Sequence, residues 1–333
     1  LLVLHIGTHK TGTSALQTFL YRHPELLAAK NVHYLRAGQG AGRAHHALAW
    51  AVRGYKGAQM SVWDEVRAEL AESKAEINVI SSEAMWFAAP DAIHAQLEGV
   101  GETRIVAYLR RQDKYLQSLY KQAVASGRKA DFRSWLESHR DRGDYLSVLS
   151  AWAAAFGAEA LTVRPHERSG RTIDIVKDFA GLLGLDAKTD LNRGKPVWQN
   201  PSPRRELLEL IRAVNHLDLD FDRDKFFYAV MRRNPAYVRS GDLLAYDECK
   251  ALMERFAEPN RILSETFYRD AETPLFPELV PSEPPPLWAP GGKEHLAMTA
   301  DVMDALVKTA GGAGAATPPR SAAPPPRAAG RSR

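Results

Sequence analysis

Leu2-Val3-Leu4-His5-Ile6-Gly7-Thr8-His9-Lys10-Thr11-Gly12-Thr13-Ser14-Ala15-Leu16-Gln17 is the stretch on which the reading of the whole chain turns. Residues 2–6 form an almost continuous apolar run, the pattern of a buried strand. Gly7 breaks the run, and after Thr13 and Ser14 a helical period starts with Leu16, Phe19 and Leu20. A strand, a tight turn with glycine and a cation, and then a helix suit the holding of a phosphate. Gly7 and Gly12 let the backbone curl and approach a ligand closely. The free amides of the first helical turn point into the loop, and the helix dipole adds partial positive charge. Thr11, Thr13 and Ser14 supply hydroxyl donors, His9 flanks the loop, and Lys10 supplies a full charge.

Further strands are expected at 31–35, 77–83, 104–110 and 160–164, each separated by helical pattern. The helices fall at 14–29 with a break at Pro24, then 44–52, 61–74, 90–98, a run after Asp113 as its N-cap, one from Phe132, 145–156, and one through Ile173, Val176 and Phe179 closed by Gly184. The alternation predicts an α/β fold, a P-loop-like parallel sheet flanked by helices, with a helical C-terminal half. The expected organisation is one α/β domain over 1–276 (sheet core 1–190, helical part 191–276 packed on it), a Pro-rich segment and weak helix over 277–309, and a disordered tail over 310–333. Residues 204–268 read as helical throughout.

A second anion-binding signal follows the third of these later strands. Arg110 stands at its carboxyl end, where ligands of open α/β sheets bind, and Ser118 lies eight residues on in the following helix. An arginine and a hydroxyl at this spacing can grip one phosphate from two sides.

The loop is not G-x-x-x-x-G-K-[ST], because Lys10 precedes Gly12 by two residues. The order G-x-x-K-T-G-T-S resembles the 5′-phosphosulfate loop of sulfotransferases that use 3′-phosphoadenosine 5′-phosphosulfate. Bacterial members that open with His-Ile-Gly-x-His-Lys-Thr-Gly-Thr are the most similar. The Arg110…Ser118 pair is similar to that family's 3′-phosphate site, and the resemblance extends diffusely to about residue 276. It implies transfer of a sulfuryl group to a hydroxyl or amine acceptor, with no metal. It implies donor contacts from Gly7, His9, Lys10, Thr11, Gly12, Thr13, Ser14, Arg110 and Ser118. A P-loop kinase-like phosphotransferase and a non-catalytic nucleotide-binding protein stand as the alternatives. The acceptor is open: sugar, peptide, lipid or small metabolite.

Such a reaction needs charge neutralised on the bridging oxygen, a task for Lys10, and a base for the acceptor proton. Glu83, where the strand after Ile77 leaves the sheet, is the favoured base, with His46 the main alternative. His45, His33, His5 and His9 are weighed beside them, and Trp86, Phe87, Tyr120 and Trp198 are candidates to line an acceptor pocket.

Composition narrows the remaining classes. The 333 residues are 45% hydrophobic and 25% charged, ordinary for a globular protein, with a formal net charge of +4. Arg320, Arg327, Arg331 and Arg333 lie in a tail without acids, so the rest of the chain balances to neutrality. That argues against a nucleic-acid partner, which would need a basic patch on the folded part. The lone cysteine, Cys249, excludes an intrachain disulfide and fits a reducing, cytoplasmic setting. No apolar run has the length of a transmembrane segment, and no signal peptide is visible.

Overall fold

β1 (Leu2–Gly7) is buried along its whole length, as its continuous apolar run requires, and occupies the middle of a five-stranded parallel sheet. In the computed structural model, residues 1–40, 43–55, 57–168, 171–186, 202–217, 219–238, 243–268, 273–281 and 291–310 are described. The other strands are β2 (Val32–Tyr34), β3 (Ile77–Ser81), β4 (Thr103–Leu109) and β5 (Leu161–Pro165), in the order β2-β3-β1-β4-β5. The mixed α/β fold with a parallel sheet flanked by helices is therefore present. α1 (Thr13–Arg22) and α2 (Pro24–Ala28) follow β1 and are divided at Pro24, which sits at the start of α2. α3 (His46–Val52) and α4 (Val62–Glu72) join β2 to β3, and a 3-10 turn (Glu83–Phe87) and α5 (Pro90–Gln96) lead to β4. α6 (Gln112–Ala125), α7 (Phe132–His139) and α8 (Tyr145–Phe156) precede β5, and α9 (Ile175–Leu182) follows it after a two-residue antiparallel hairpin that periodicity does not reveal.

Crossovers between parallel strands are right-handed as a rule, so the strand order decides which face each helix covers. Only the step from β1 to β2 runs toward one edge of the sheet; the later steps run the other way. α1 and α2 therefore occupy one face, and α9 joins them in a cluster with Val3, Val32, Val79, Val106 and Tyr108. The alternate residues Leu2, Leu4, Ile80, Ile105 and Leu109 are buried on the opposite face. β1 also marks the topological switch. Its own connection leaves in one direction and those of both its neighbours, β3 and β4, leave in the other, the arrangement that in open α/β sheets places a ligand crevice at the carboxyl ends.

Contacts divide the chain into two compact units, here taken over their described residues: Leu1–Leu119, Leu136–Asn200 and Leu244–Ser282, and Tyr120–Trp135, Pro201–Leu243 and Glu283–Arg333. The first holds the sheet, α12 (Tyr246–Glu254) and α13 (Ala257–Phe267); the second holds α10 (Arg205–Asn215), α11 (Arg223–Met231) and α14 (Lys293–Ala310). In the second unit Leu207, Ile211, Phe226, Val230, Met298 and Val302 are buried, and Tyr237 donates to Asp301 at 2.6 Å.

Two local expectations are corrected. The region 204–268 is not helical throughout: the Asp222 carboxylate accepts from the Lys225 amide and starts a new helix, and Asn234-Pro235 ends it in a short turn. Asp113 is not an N-cap, because α6 begins at Gln112 and Asp113 pairs inside the first turn with Arg111. The tail beyond Ala310 and most of the Pro-rich segment lie outside the described residues.

Two buried histidines give the fold a pH dependence. His45, just before α3, donates from Nε2 to the Leu35 carbonyl at 2.9 Å and accepts from the Ser81 amide at Nδ1 at 3.2 Å. His5 in β1 contacts the Ser81 hydroxyl at 2.8 Å through Nδ1. Burial pushes both down to about 4, against a reference near 6.5. The unfolded chain therefore binds more protons between those values, so stability is full above about pH 6.5 and lost as pH falls toward 4. The urea midpoint should decline across that window, and His45→Gln, which cannot take up the proton, should flatten the decline while lowering stability at pH 7. An unchanged slope in the variant would remove His45 from this role.

Candidate functional site

The loop after β1 is held open by its own bonds. The Thr8 amide and hydroxyl both donate to the Tyr108 carbonyl of β4, at 3.0 and 3.1 Å, and the buried Thr11 hydroxyl donates back to the Thr8 carbonyl at 2.7 Å. The Thr11 hydroxyl is thus a staple inside the loop and not a free donor. The backbone turns through positive φ at Gly7 (96°), Lys10 (67°) and Gly12 (92°). A lysine in this region is uncommon and costs strain that the surrounding bonds must hold. As a result the amides from His9 to Ser14 donate to no backbone carbonyl among the described residues. A run of amides without backbone acceptors at the start of α1, beside the positive end of the helix dipole, is the kind of backbone suited to an anion.

Gly7 is required by its neighbour as well as by its φ. The pairing of β1 with β4 slips between His5 and Gly7, and a Cβ on Gly7 would stand 2.7 Å from Glu83 Cβ and 2.9 Å from Glu83 Cα. Glu83 follows β3 and so lies directly against the loop. Its carboxylate accepts from Gln17 Nε2 at 2.8 Å through Oε2, while Oε1 lies 3.9 Å from His46 Nε2. His46 is fixed in turn by Nδ1, 2.8 Å from the Ser82 hydroxyl. Burial alone would raise the Glu83 carboxyl; the His46 and His9 imidazoles and the Gln17 hydrogen bond outweigh it and hold the group below the ordinary carboxylate value. Glu83 is consequently ionised at neutral pH.

On the other side of β1, Arg110 leaves β4 and reaches the Lys10 carbonyl through Nη1 at 3.4 Å, with its own carbonyl accepting from Tyr145 at 2.8 Å. Lys10 is pulled down by burial and by the Arg110 charge, a pressure that a bound anion would relieve. The adjacent Arg111 is spent on structure: Nε and Nη2 take both oxygens of buried Asp113, and Nη1 donates to the carbonyls of Pro277 and Glu278. It borders a cavity of about 710 Å³ lined by Asn260, Tyr268 and Phe276, among others, which shares none of the crevice residues named here.

The structure thus brings Gly7, His9, Lys10, Thr11, Gly12, Thr13, Ser14, Glu83, His46 and Arg110 to one edge. Ser118 lies further along α6 and is half-buried. His9 stacks on Phe87 at 5.5 Å, and the Arg142 guanidinium lies over the same ring at 5.5 Å. His33 pairs with Glu69 at 2.7 Å, and Glu69 also accepts from the amides of Arg36 and Ala37, a structural bracket. Trp86 is buried against Tyr145, and Tyr120 is buried in the second unit with its hydroxyl on the Ala130 carbonyl. Trp198 lies outside the described residues. Gln17 went unnoticed in the sequence although a signal exists: Thr13, Leu16, Gln17 and Leu20 form the buried stripe of α1, and an amide on that stripe needs a partner. Among the described residues no group of three or more His, Cys, Asp or Glu is placed to hold a metal ion, and no helix is long and apolar enough to cross a membrane.

Comparison with known proteins adds little. No protein-family model matches the chain. An uncharacterized protein of Archaeoglobus fulgidus is 31% identical over 173 residues, which cover 50% of this chain and 46% of that protein, so the chain spans about half the length of the curated relative it matches. The crystal structure of a sulfotransferase from Alicyclobacillus acidocaldarius superposes with a TM-score of 0.41 at 17% identity, over 71% of this chain and 98% of that one.

The close approach of Gly7 to Glu83 can be measured. Gly54 also has positive φ (62°) but nothing within 4 Å of a built Cβ. Gly54→Ala should therefore cost only the left-handed penalty, about 1–2 kcal/mol, while Gly7→Ala adds a backbone clash and should cost at least about 1 kcal/mol more by urea denaturation. Equal costs would mean that Glu83 moves aside freely.

Proposed function

We propose that the chain is a sulfotransferase that moves the sulfuryl group of 3′-phosphoadenosine 5′-phosphosulfate to a hydroxyl or amine acceptor. The observation that carries this reading is the run of backbone amides from His9 to Ser14, wrapped around Lys10 at the head of α1 and faced by Arg110. That arrangement fits a nucleotide with anionic groups at both its ends better than a single phosphate. It also agrees with the sequence of the loop, in which Lys10 stands ahead of Gly12.

The donor supplies a sulfur bound through a bridging oxygen to its 5′-phosphate, and transfer breaks that bond as the acceptor oxygen or nitrogen bonds to sulfur. The loop amides, with Thr13 and Ser14, hold the 5′ end, and Arg110 with Ser118 serves the 3′-phosphate. Lys10 neutralises the charge that collects on the bridging oxygen as it takes the electron pair. Glu83, ionised beside the loop, accepts the proton of the acceptor. His46, whose Nε2 lies 3.9 Å from Glu83 Oε1, is the competing base. A cytoplasmic location accompanies this reading.

Calorimetry tests the two ends of the donor site. Adenosine 3′,5′-bisphosphate should bind in clear preference to AMP, and Arg110→Ala should erase most of the difference; equal affinity in the wild type would remove Arg110 and Ser118 from the role. Lys10→Ala should lower turnover about a hundredfold to a thousandfold with a smaller effect on donor affinity, because its contact strengthens in the transition state. Weaker binding with intact turnover would make Lys10 a simple anchor. Glu83→Gln should abolish turnover and leave donor binding intact. Activity retained there and lost in His46→Ala would assign the base to the histidine.

A further inference from the structure

Gln17 lies in the second turn of α1, the helix whose first turn contributes to the amide nest, and its side chain is almost wholly buried. Its Nε2 donates to Glu83 Oε2 at 2.8 Å and is also 3.3 Å from the Ser81 hydroxyl, which in turn contacts His5 Nδ1 at 2.8 Å. A chain of buried polar groups thus runs from the centre of β1 through the end of β3 to the carboxylate at the crevice. The Glu83 side chain retains 12% of its exposure, so it is neither sealed in nor free to turn. One of its oxygens is occupied by the amide and the other faces His46.

We propose that Gln17 is the positioning residue of this site: its amide pins one Glu83 oxygen to α1 and leaves the other presented at the crevice. The inference rests on the reading of Glu83 as base and extends it to a residue that touches neither donor nor acceptor. A carboxylate with free rotation would spend part of its time turned away from the acceptor, and misplacement by about an ångström can cost on the order of a hundredfold in rate. The amide also favours the charged form of Glu83. The other titratable groups that face this carboxylate are His5 from β1, His9 from the loop, His46 from α3 and Tyr34 from β2. Among the described residues none of these groups hydrogen-bonds Oε2, and His46 faces the other oxygen, so loss of Gln17 is not made good by a neighbour already in place.

Two variants of similar size test the proposal. Gln17→Leu removes the donor, and Gln17→Glu keeps the shape but sets a second carboxylate against the first. Glu83 is titrated in each by NMR of carboxyl-labelled glutamate, its signal assigned by loss in Glu83→Gln, with thermal melting to establish that each variant folds. The midpoint of Glu83 should move upward in Gln17→Leu and further upward in Gln17→Glu, since like charges resist ionising together. With donor and acceptor present, kcat should fall on the order of tenfold to a hundredfold, donor affinity should hold, and the acid limb of the pH profile should move upward in the same order. Unchanged midpoints in folded variants would overturn the proposal whether or not transfer is observed. Shifted midpoints with undiminished turnover would overturn the positioning role. Absence of transfer in the wild type, with the midpoints shifted as expected, would instead count against the sulfotransferase reading alone.

Discussion

Backbone amides without backbone partners are costly to keep inside a folded chain, and the crevice is organised around a run of them. Residues 9–14 cannot relax into an ordinary turn because Thr8 is tied twice to Tyr108 and Thr11 is tied back to Thr8. Lys10 within this segment stands in a left-handed conformation, with Gly7 and Gly12 at positive φ on either side. The sheet supplies the anchor, since Tyr108 belongs to β4 and its position is fixed by pairing with β1 and β5. What the loop lacks in internal satisfaction, an anion would provide.

Charge around the crevice is arranged in opposition. Lys10 and Arg110 crowd one another, and burial adds to the pressure on Lys10 to lose its proton. Glu83 experiences the converse, with imidazoles and an amide turned toward it. Burial separates the histidines by role. His5 and His9 are both driven down to about 4 by burial, so near neutrality they act as polar packing and not as cations. His46 keeps more contact with solvent and meets Glu83 at its open oxygen.

Much of this architecture is legible in the sequence, for identifiable reasons. The strands of a parallel sheet are apolar on both faces, so β1, β3 and β4 announce themselves, and a glycine, a lysine and a glycine in short order announce the turn. Legibility fails where a residue's role depends on a partner far along the chain. Arg111 stands beside Arg110 in sequence, and only its bonds to Asp113 and to the carbonyls of Pro277 and Glu278 reveal that it is consumed by structure. Thr11 looks like a donor for ligand until the Thr8 carbonyl is seen to claim it. The grouping of residues 120–135 with helices that begin only at Arg205 likewise leaves no local trace.

The order of strands also acts as a ruler. Glu83, the amide nest and Arg110 hang from the ends of β3, β1 and β4, which are consecutive neighbours in one hydrogen-bonded ladder. Neighbouring strands stand about 4.8 Å apart, so the outer pair of attachment points is separated by about 10 Å, a length set by peptide hydrogen bonding and not by any side chain. Substitutions at the rim can alter which groups are offered to a ligand, but they cannot bring those two attachment points together. A ligand engaged at once by Glu83 and Arg110 is therefore reached by side chains that converge from two backbone points held apart by the strand between them.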